Sequence, residues 1–216
     1  GMGFSAALPR MIDTLIGCAI AWFGVSFIFP DWKFRRLPRS IKRSLNAEVD
    51  YLSEVIEQYK TGRNNGLRYR VVRRAAHNTD AEVASLISTL ATEPDFDPLQ
   101  KSQAFEFLCL NHTLISYIAA LGAHREKIED QEILSLLDQA LEDIRGALLA
   151  DEVPDLSAQN MIHNIRQRLS HQQDEDQKSL IILQQLSLMF SILNQLSQLK
   201  QSLSHERDEQ ATELAS

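Results

Sequence analysis

The longest apolar stretch of the chain runs from Met11 to Phe29, and its only ionisable residue is Asp13. A helix of this length extends for about 29 Å, close to the thickness of about 30 Å of a bilayer's hydrocarbon core. The pattern predicts a transmembrane helix, with Trp32 as an interface anchor. The basic residues follow the apolar run rather than precede it, which argues against a secretory signal peptide. The remaining alternative is a buried core helix of a soluble domain.

This predicted membrane helix has one face of small residues, Gly17, Ala21 and Gly24, at a spacing that permits close contact with another helix. Arg10 lies three residues before Asp13, so the two are expected to pair on one face. These residues are candidates for a role in transport or in helix packing. The alternative for Asp13 is a carboxylate at the level of the interface, with no transport role.

The rest of the chain shows apolar residues at steps of three and four, which predicts a bundle of about six amphipathic helices. The first is expected to end near Thr61, where Gly62 can cap it, and the second near Thr92. Asp97 and Pro98 predict the start of a third helix, apolar on nearly all sides and therefore the central, most buried one. A fourth is predicted from about Asp130 to Leu149.

Pro154 opens a predicted shorter fifth helix with Ile162, Ile165 and Leu169. The last helix is predicted from Ser179 to Ser204, with an apolar seam suited to a bundle core or a short coiled coil. No stretch alternates with a period of two, so we predict an all-α fold. The expected organisation is residues 1–31 as the last transmembrane helix of a larger protein, 32–205 as a cytoplasmic helical bundle and 206–216 as a disordered acidic tail. Residues 38–204 should fold without the membrane helix.

The charge is distributed unevenly, and this predicts the orientation. The net charge is −7, which argues against nucleic-acid binding, yet the segment from Lys33 to Arg43 holds six basic residues and no acidic one. Only Arg10 precedes the apolar run at close range. By the positive-inside rule everything after Phe29 is expected in the cytoplasm. The same basic segment is suited to contact anionic lipid.

Enzyme signatures are scarce: the sequence has no glycine-rich phosphate loop, no HExxH, no CxxC pair and no Gly-x-Ser-x-Gly elbow. Cys109 and His112 are three residues apart on one predicted helix and form the best nucleophile pair, although packing is the simpler role for the cysteine. His77 and Asp80 are more suited to a hydrogen bond than to a metal site, since two ligands do not make one. We therefore expect no enzyme activity, no cofactor and no metal.

A cluster of basic residues on the second bundle helix is the remaining candidate for binding. Arg70, Arg73, Arg74 and His77 are neighbours on one side of that helix. They could receive an anion, a lipid head group or an acidic helix face. The alternative is pairing with carboxylates of the same protein.

Three strings resemble the carboxy-terminal part of the YccS/YhfK-type bacterial inner-membrane proteins of the fusaric-acid-resistance (FUSC) transporter family: GFSAALPRMIDTLIGCAIAWFGVSFIFPDW, YRVVRRAAHNTDAEVASLISTL and CLNHTLISYIAALGAHRE. The resemblance covers about residues 3–128. The family's Arg-x-x-Asp-Thr-x-x-Gly pattern corresponds to Arg10, Asp13, Thr14 and Gly17. Family members resemble aromatic-acid efflux pumps, and the membrane helices that precede this segment in the family are missing here.

The resemblance implies a membrane anchor and a cytoplasmic regulatory or assembly domain of an inner-membrane efflux transporter for small organic (aromatic) acids. The implied partners are the lipid bilayer, the missing membrane helices of the same protein and further copies in a homo-oligomer. The alternative is a membrane-tethered helical interaction module with no transport role.

Overall fold

The computed structural model describes residues 2–28, 36–62, 66–92, 96–123, 126–150, 163–165, 167 and 177–213, with side chains from residue 10 to 24 and from 36 to 204. These residues contain helices and no strand, so the all-α prediction is confirmed. The helices are α1 (Met2–Ile28), α2 (Leu37–Thr61), α3 (Leu67–Leu90), α4 (Pro98–Ala123), α5 (Gln131–Leu149) and α6 (Gln177–Glu213). The chain divides into two compact units, Gly1–Arg36 and Leu37–Ser216.

The first unit contains α1, and its described side chains are exposed to solvent up to Phe23. Several are large and apolar, and Trp22 and Ile20 are 69% and 67% exposed. Such a surface is unfavourable in water and suited to lipid or to other apolar helices. The predicted anchor Trp32 and the basic residues Lys33 and Arg35 lie outside the described residues.

The second unit is a bundle of α2 to α6, and its helix ends follow the predicted signals. Gly62 has φ +94 and donates its backbone N–H to Gln58 at 2.9 Å, ending α2 where a left-handed residue is required. Asp97 caps α4 by accepting from the N–H groups of Leu99 and Gln100 at 2.9 and 3.1 Å. Asp130 caps α5 through the N–H groups of Glu132 and Ile133.

Contacts between side chains show how the bundle helices run. Arg43 in the first half of α2 pairs with Glu82 in the second half of α3. Arg68 in the first half of α3 pairs with Glu54 in the second half of α2, so the two helices are antiparallel. In the same way α4 and α6 are antiparallel, because Gln103 bonds Ser202 and Glu126 pairs with Lys178. The Tyr59 hydroxyl donates to the Leu121 carbonyl at 2.7 Å and ties α2 to the end of α4.

The prediction that α4 is the central helix is wrong, because α2 takes that place. α2 contacts α3, α4, α5 and α6, and it has more buried residues than α4. α4 has neighbours in α2, α3 and α6, which leave a stripe with Phe105, Cys109 and His112 exposed. Apolar composition alone does not show how many neighbours a helix has.

The predicted seam of α6 lies in the core: Ile182, Leu186, Met189, Leu193 and Leu196 are all buried. The Lys200 ammonium donates to the carbonyls of Leu148 and Ala150 at the end of α5. α6 continues to Glu213, so the backbone of most of the predicted disordered tail is helical. The predicted fifth helix falls largely outside the described residues, although residues 163–165 are helical and Ile165 is buried.

Two bundle helices have the length and apolar composition of a membrane span among the described residues: α4 and the Gln177–Ser204 part of α6. The buried faces of these helices pack against other helices of the same unit. The core helix of a soluble bundle has the same length and composition.

We expect the fragment 38–204 to fold without α1, because the core of the bundle lies within the second unit. Far-UV circular dichroism of this fragment should show a helical spectrum and one cooperative thermal transition. A fragment with little helix or a non-cooperative melt would contradict the prediction.

Candidate functional site

The most unusual chemistry of the described residues is a set of polar side chains inside the bundle, where α2, α3 and α4 meet. We call Ser44, Glu48, Asp80 and Asn111, together with the solvent-exposed His112 that contacts Asp80, the buried polar cluster. Ser44 and Glu48 lie one turn apart on α2, Asp80 is on α3, and Asn111 and His112 are on α4. Ser44, Glu48 and Asn111 are 0% exposed and Asp80 is 7% exposed. Carboxylates are rarely buried to this extent unless they are paired.

Hydrogen bonds connect the cluster across all three helices. The Asn111 amide donates from Nδ2 to Asp80 Oδ1 at 2.9 Å and to Ser44 Oγ at 3.3 Å. Ser44 Oγ donates to Glu48 Oε1 at 3.2 Å. His112 Nδ1 lies 2.9 Å from Asp80 Oδ2, and the imidazole is largely exposed. The cluster therefore reaches from a solvent-facing imidazole to a fully enclosed carboxyl group.

Electrostatics single out Glu48 within this cluster. Burial raises the pKa of Glu48 well above its ordinary value, and the negative charge of Asp80 raises it further. Hydrogen bonds from Ser44 and Asn111 act in the opposite direction but are the smaller causes. Two oxygens of the cluster, Glu48 Oε2 and Asn111 Oδ1, have no hydrogen-bond partner among the described residues.

The structure gives His77 and His112 different partners from those predicted. Asp80 accepts from Asn111 and contacts His112, whereas the His77 ring packs against Tyr51 with ring centroids 6.5 Å apart. His112 thus contacts a carboxylate across helices rather than Cys109 along its own helix. The prediction that His77 forms a hydrogen bond with Asp80 is wrong. The histidine that contacts this carboxylate is His112, which lies on α4.

Cys109 is exposed, which differs from the packed position expected for it. We expect Cys109→Ala to change the free energy of unfolding by less than about 0.5 kcal/mol, since surface substitutions without special contacts have small effects. A denaturant titration that compares the variant with the unaltered chain would measure this. A loss well above that value would contradict the exposed position.

The predicted basic cluster lies on the outer side of α3. Arg70, Arg73, Arg74 and His77 are exposed, and next to them Val71 is an exposed apolar residue. The expected pairing with carboxylates is seen for the neighbouring Arg68, which bonds Glu54 at 2.9 Å. No ion pair of the other three arginines occurs within the described part of the chain. This face therefore presents cationic side chains to solvent.

The candidate residues of α1 make few contacts within their own unit. Thr14 Oγ1 donates to the Arg10 carbonyl at 2.8 Å, as hydroxyls in helices commonly do. A Cβ atom added at Gly17 or Gly24 would meet nothing within 4 Å. The side chains of Arg10, Asp13 and Ala21 are exposed. The small-residue face thus has space for another helix.

No group of three His, Cys, Asp or Glu side chains in the described ranges is arranged to hold a metal ion. The buried polar cluster was missed by the sequence reasoning, although a signal existed. Ser44 and Glu48 lie on the apolar stripe of α2, between Ile41 and Leu52, where a polar residue is unexpected. Only the tertiary structure shows that Asp80 and Asn111 meet them there.

Three relatives match the chain. "Inner membrane protein YccS" of Escherichia coli (strain K12) is 46% identical over 197 residues, 91% of this chain and 28% of that protein. An "Uncharacterized protein" of Haemophilus influenzae is 39% identical over 132 residues, 60% of this chain and 18% of that protein. "Uncharacterized protein ORF2" of Neisseria gonorrhoeae is 36% identical over 124 residues, 56% of this chain and 30% of that protein.

The chain thus spans less than a third of the length of each of these relatives. No family profile matches it, and no solved structure does. The similarity to YccS supports an inner-membrane protein of the YccS type.

Proposed function

We propose that this chain is the C-terminal membrane anchor and cytoplasmic regulatory or assembly domain of an inner-membrane efflux transporter for small organic (aromatic) acids. The observation that carries the proposal is the exposed apolar surface of α1 in a compact unit of its own, followed in the chain by a segment of six basic residues. The similarity to an inner-membrane protein supports the location. The substrate class and the efflux direction rest on the family resemblance.

The proposal assigns the membrane span to α1 and treats α4 and α6 as core helices. This choice rests on where their polar residues lie. α4 holds Asn111 inside the bundle against Asp80, and α6 holds Lys200 against the end of α5. Placing either helix in lipid would remove these partners. Transfer of an amide or a charged group into an apolar medium without a partner costs on the order of several kcal/mol.

The proposal gives the chain no catalytic activity, no cofactor and no nucleic-acid partner. Its partners are the lipid bilayer, further membrane helices of the same protein and other copies in a homo-oligomer. The small-residue face of α1 supports helix partners, because Gly17 and Gly24 leave room for another helix to approach. Anionic lipid at the basic segment contributes about 1 kcal/mol for each basic residue near the surface.

The alternative is a membrane-tethered helical interaction module with no transport role. The exposed arginine face of α3 favours it. Arg70, Arg73 and Arg74 form no ion pair within the described residues, and together with Val71 they make a surface that an acidic partner could cover. Deleting residues 37–213 from the full-length protein, with α1 kept, separates the two functions. Loss of aromatic-acid export would support the transporter domain, and unchanged export would support the interaction module.

A topology experiment tests the membrane placement. We expect a reporter fused after Arg43, or at the end of α6, to be active only as a cytoplasmic reporter, because positive residues following an apolar helix are retained inside. Enzymatic reporters that require either the cytoplasm or the periplasm would measure it in intact cells. Activity of the periplasmic reporter at both positions would overturn the orientation.

A further inference from the structure

Glu48 is a fully buried carboxyl group that lacks a cationic partner in the described structure. Ser44 donates to its Oε1 atom, and among the described residues its Oε2 atom has no hydrogen-bond partner. Asn111 Oδ1 is likewise buried, with no donor in the described part of the chain. Both atoms are acceptors when the carboxyl is ionised, so the missing component is a donor or a small cation.

The charged groups around Glu48 would not neutralise it. From α3 it faces Asp80, which carries the same charge. On α4, His112 contacts Asp80 rather than Glu48. An ionised Glu48 would therefore add a second buried negative charge beside Asp80. The imidazole of the cluster, His112, already contacts Asp80.

We propose that the buried polar cluster is a proton-binding site, in which Glu48 holds a proton between α2, α3 and α4. Release of this proton at higher pH changes the packing of the bundle. The bound proton makes Glu48 neutral and supplies the donor that Glu48 and Asn111 lack. A single proton thus removes both the repulsion with Asp80 and the unmet hydrogen bonding. The inference concerns the bundle itself and does not rest on an export function.

The cluster has a hydrogen-bonded route to solvent. His112 is largely exposed and contacts Asp80, and Asp80 accepts from Asn111. Asn111 also donates to Ser44, which in turn donates to Glu48. Such a chain joins the enclosed carboxyl to the surface without an open channel. Ordinary local motion of α4 is then enough for the proton to exchange with solvent.

The direction of the pH dependence follows from the raised pKa of Glu48. Below the pKa of a glutamate in the unfolded chain, about 4.3, both states hold the proton and its full contribution to stability is present. Above it the unfolded state releases the proton while the folded state keeps it. The contribution is therefore lost as the pH rises through the pKa of Glu48 in the folded protein.

The test uses the full 216-residue chain in detergent micelles. Thermal unfolding is followed by circular dichroism between about pH 5 and about pH 9 for the unaltered chain, Glu48→Gln and the control Glu57→Gln. Glutamine has the shape of the neutral acid and keeps a donor, and Glu57 is an exposed residue of the same helix. We expect Glu48→Gln to remove at least half of the fall in melting temperature at rising pH, and the control to leave it unchanged. An equal fall in all three proteins would overturn the proposal.

Two further measurements keep the test decisive if Glu48→Gln fails to fold. Infrared spectroscopy of the unaltered chain should show a neutral carboxylic acid band that persists at neutral pH and disappears at alkaline pH. Absence of that band at neutral pH would overturn the proposal. Replacing choline chloride by sodium chloride at alkaline pH should leave the melting temperature unchanged. A rise with sodium alone would identify a metal-cation site instead of a proton site.

Discussion

Replacing Leu114 by aspartate is expected to destabilise the helical bundle strongly. Leu114 is 0% exposed on the buried side of α4. The substitution removes about 2 kcal/mol of apolar burial and places a carboxyl group where it has no partner. Together these effects should cost about 4 kcal/mol or more, which is a large part of the stability of an ordinary domain.

Denaturant titration of the full chain in detergent, followed by circular dichroism, measures this effect. Cys109→Asp is the matched control, because it introduces the same group at an exposed position of α4. The control should change the free energy of unfolding by less than about 1 kcal/mol. Equal losses in the two variants would mean that the buried side of α4 is wrongly assigned.

Asn111→Asp is expected to destabilise the bundle strongly at neutral pH, although it hardly changes the shape of the side chain. The new carboxylate cannot donate to Asp80 or Ser44, and it adds a third acid beside Glu48 and Asp80. Breaking a buried charged network in this way typically costs about 3–5 kcal/mol. Because burial among like charges raises the pKa of such a group, the lost stability should return as the pH falls and the carboxyls become neutral.

Urea unfolding at neutral and at acidic pH would measure the recovery for Asn111→Asp. The control is Asn78→Asp, which makes the same exchange at an exposed position of α3. We expect the control to show a small and nearly pH-independent effect. A similar small effect at position 111 would show that Asn111 does not hold the buried polar cluster together.

The sequence by itself predicted the fold class and most helix limits, because these depend on local chemistry. Apolar residues at steps of three and four place helices, and Gly62, Asp97 and Asp130 mark their ends through φ preference and capping. The apolar seam of α6 was likewise predicted from spacing alone. The end of α6 was not predicted, since α6 continues into the acidic segment up to Glu213 without an apolar pattern.

Only the tertiary structure decided which residues meet between helices. Composition favoured α4 as the central helix, but α2 is the one that contacts all other helices of the bundle. Local spacing paired His77 with Asp80, whereas packing of α4 against α3 brings Asn111 and His112 to that carboxylate. A contact between side chains 31 residues apart depends on the rotation and register of two helices, and those are set by the packing of the whole core. For the same reason the burial of Glu48, and with it the raised pKa, follows from the tertiary structure and not from its place in the sequence.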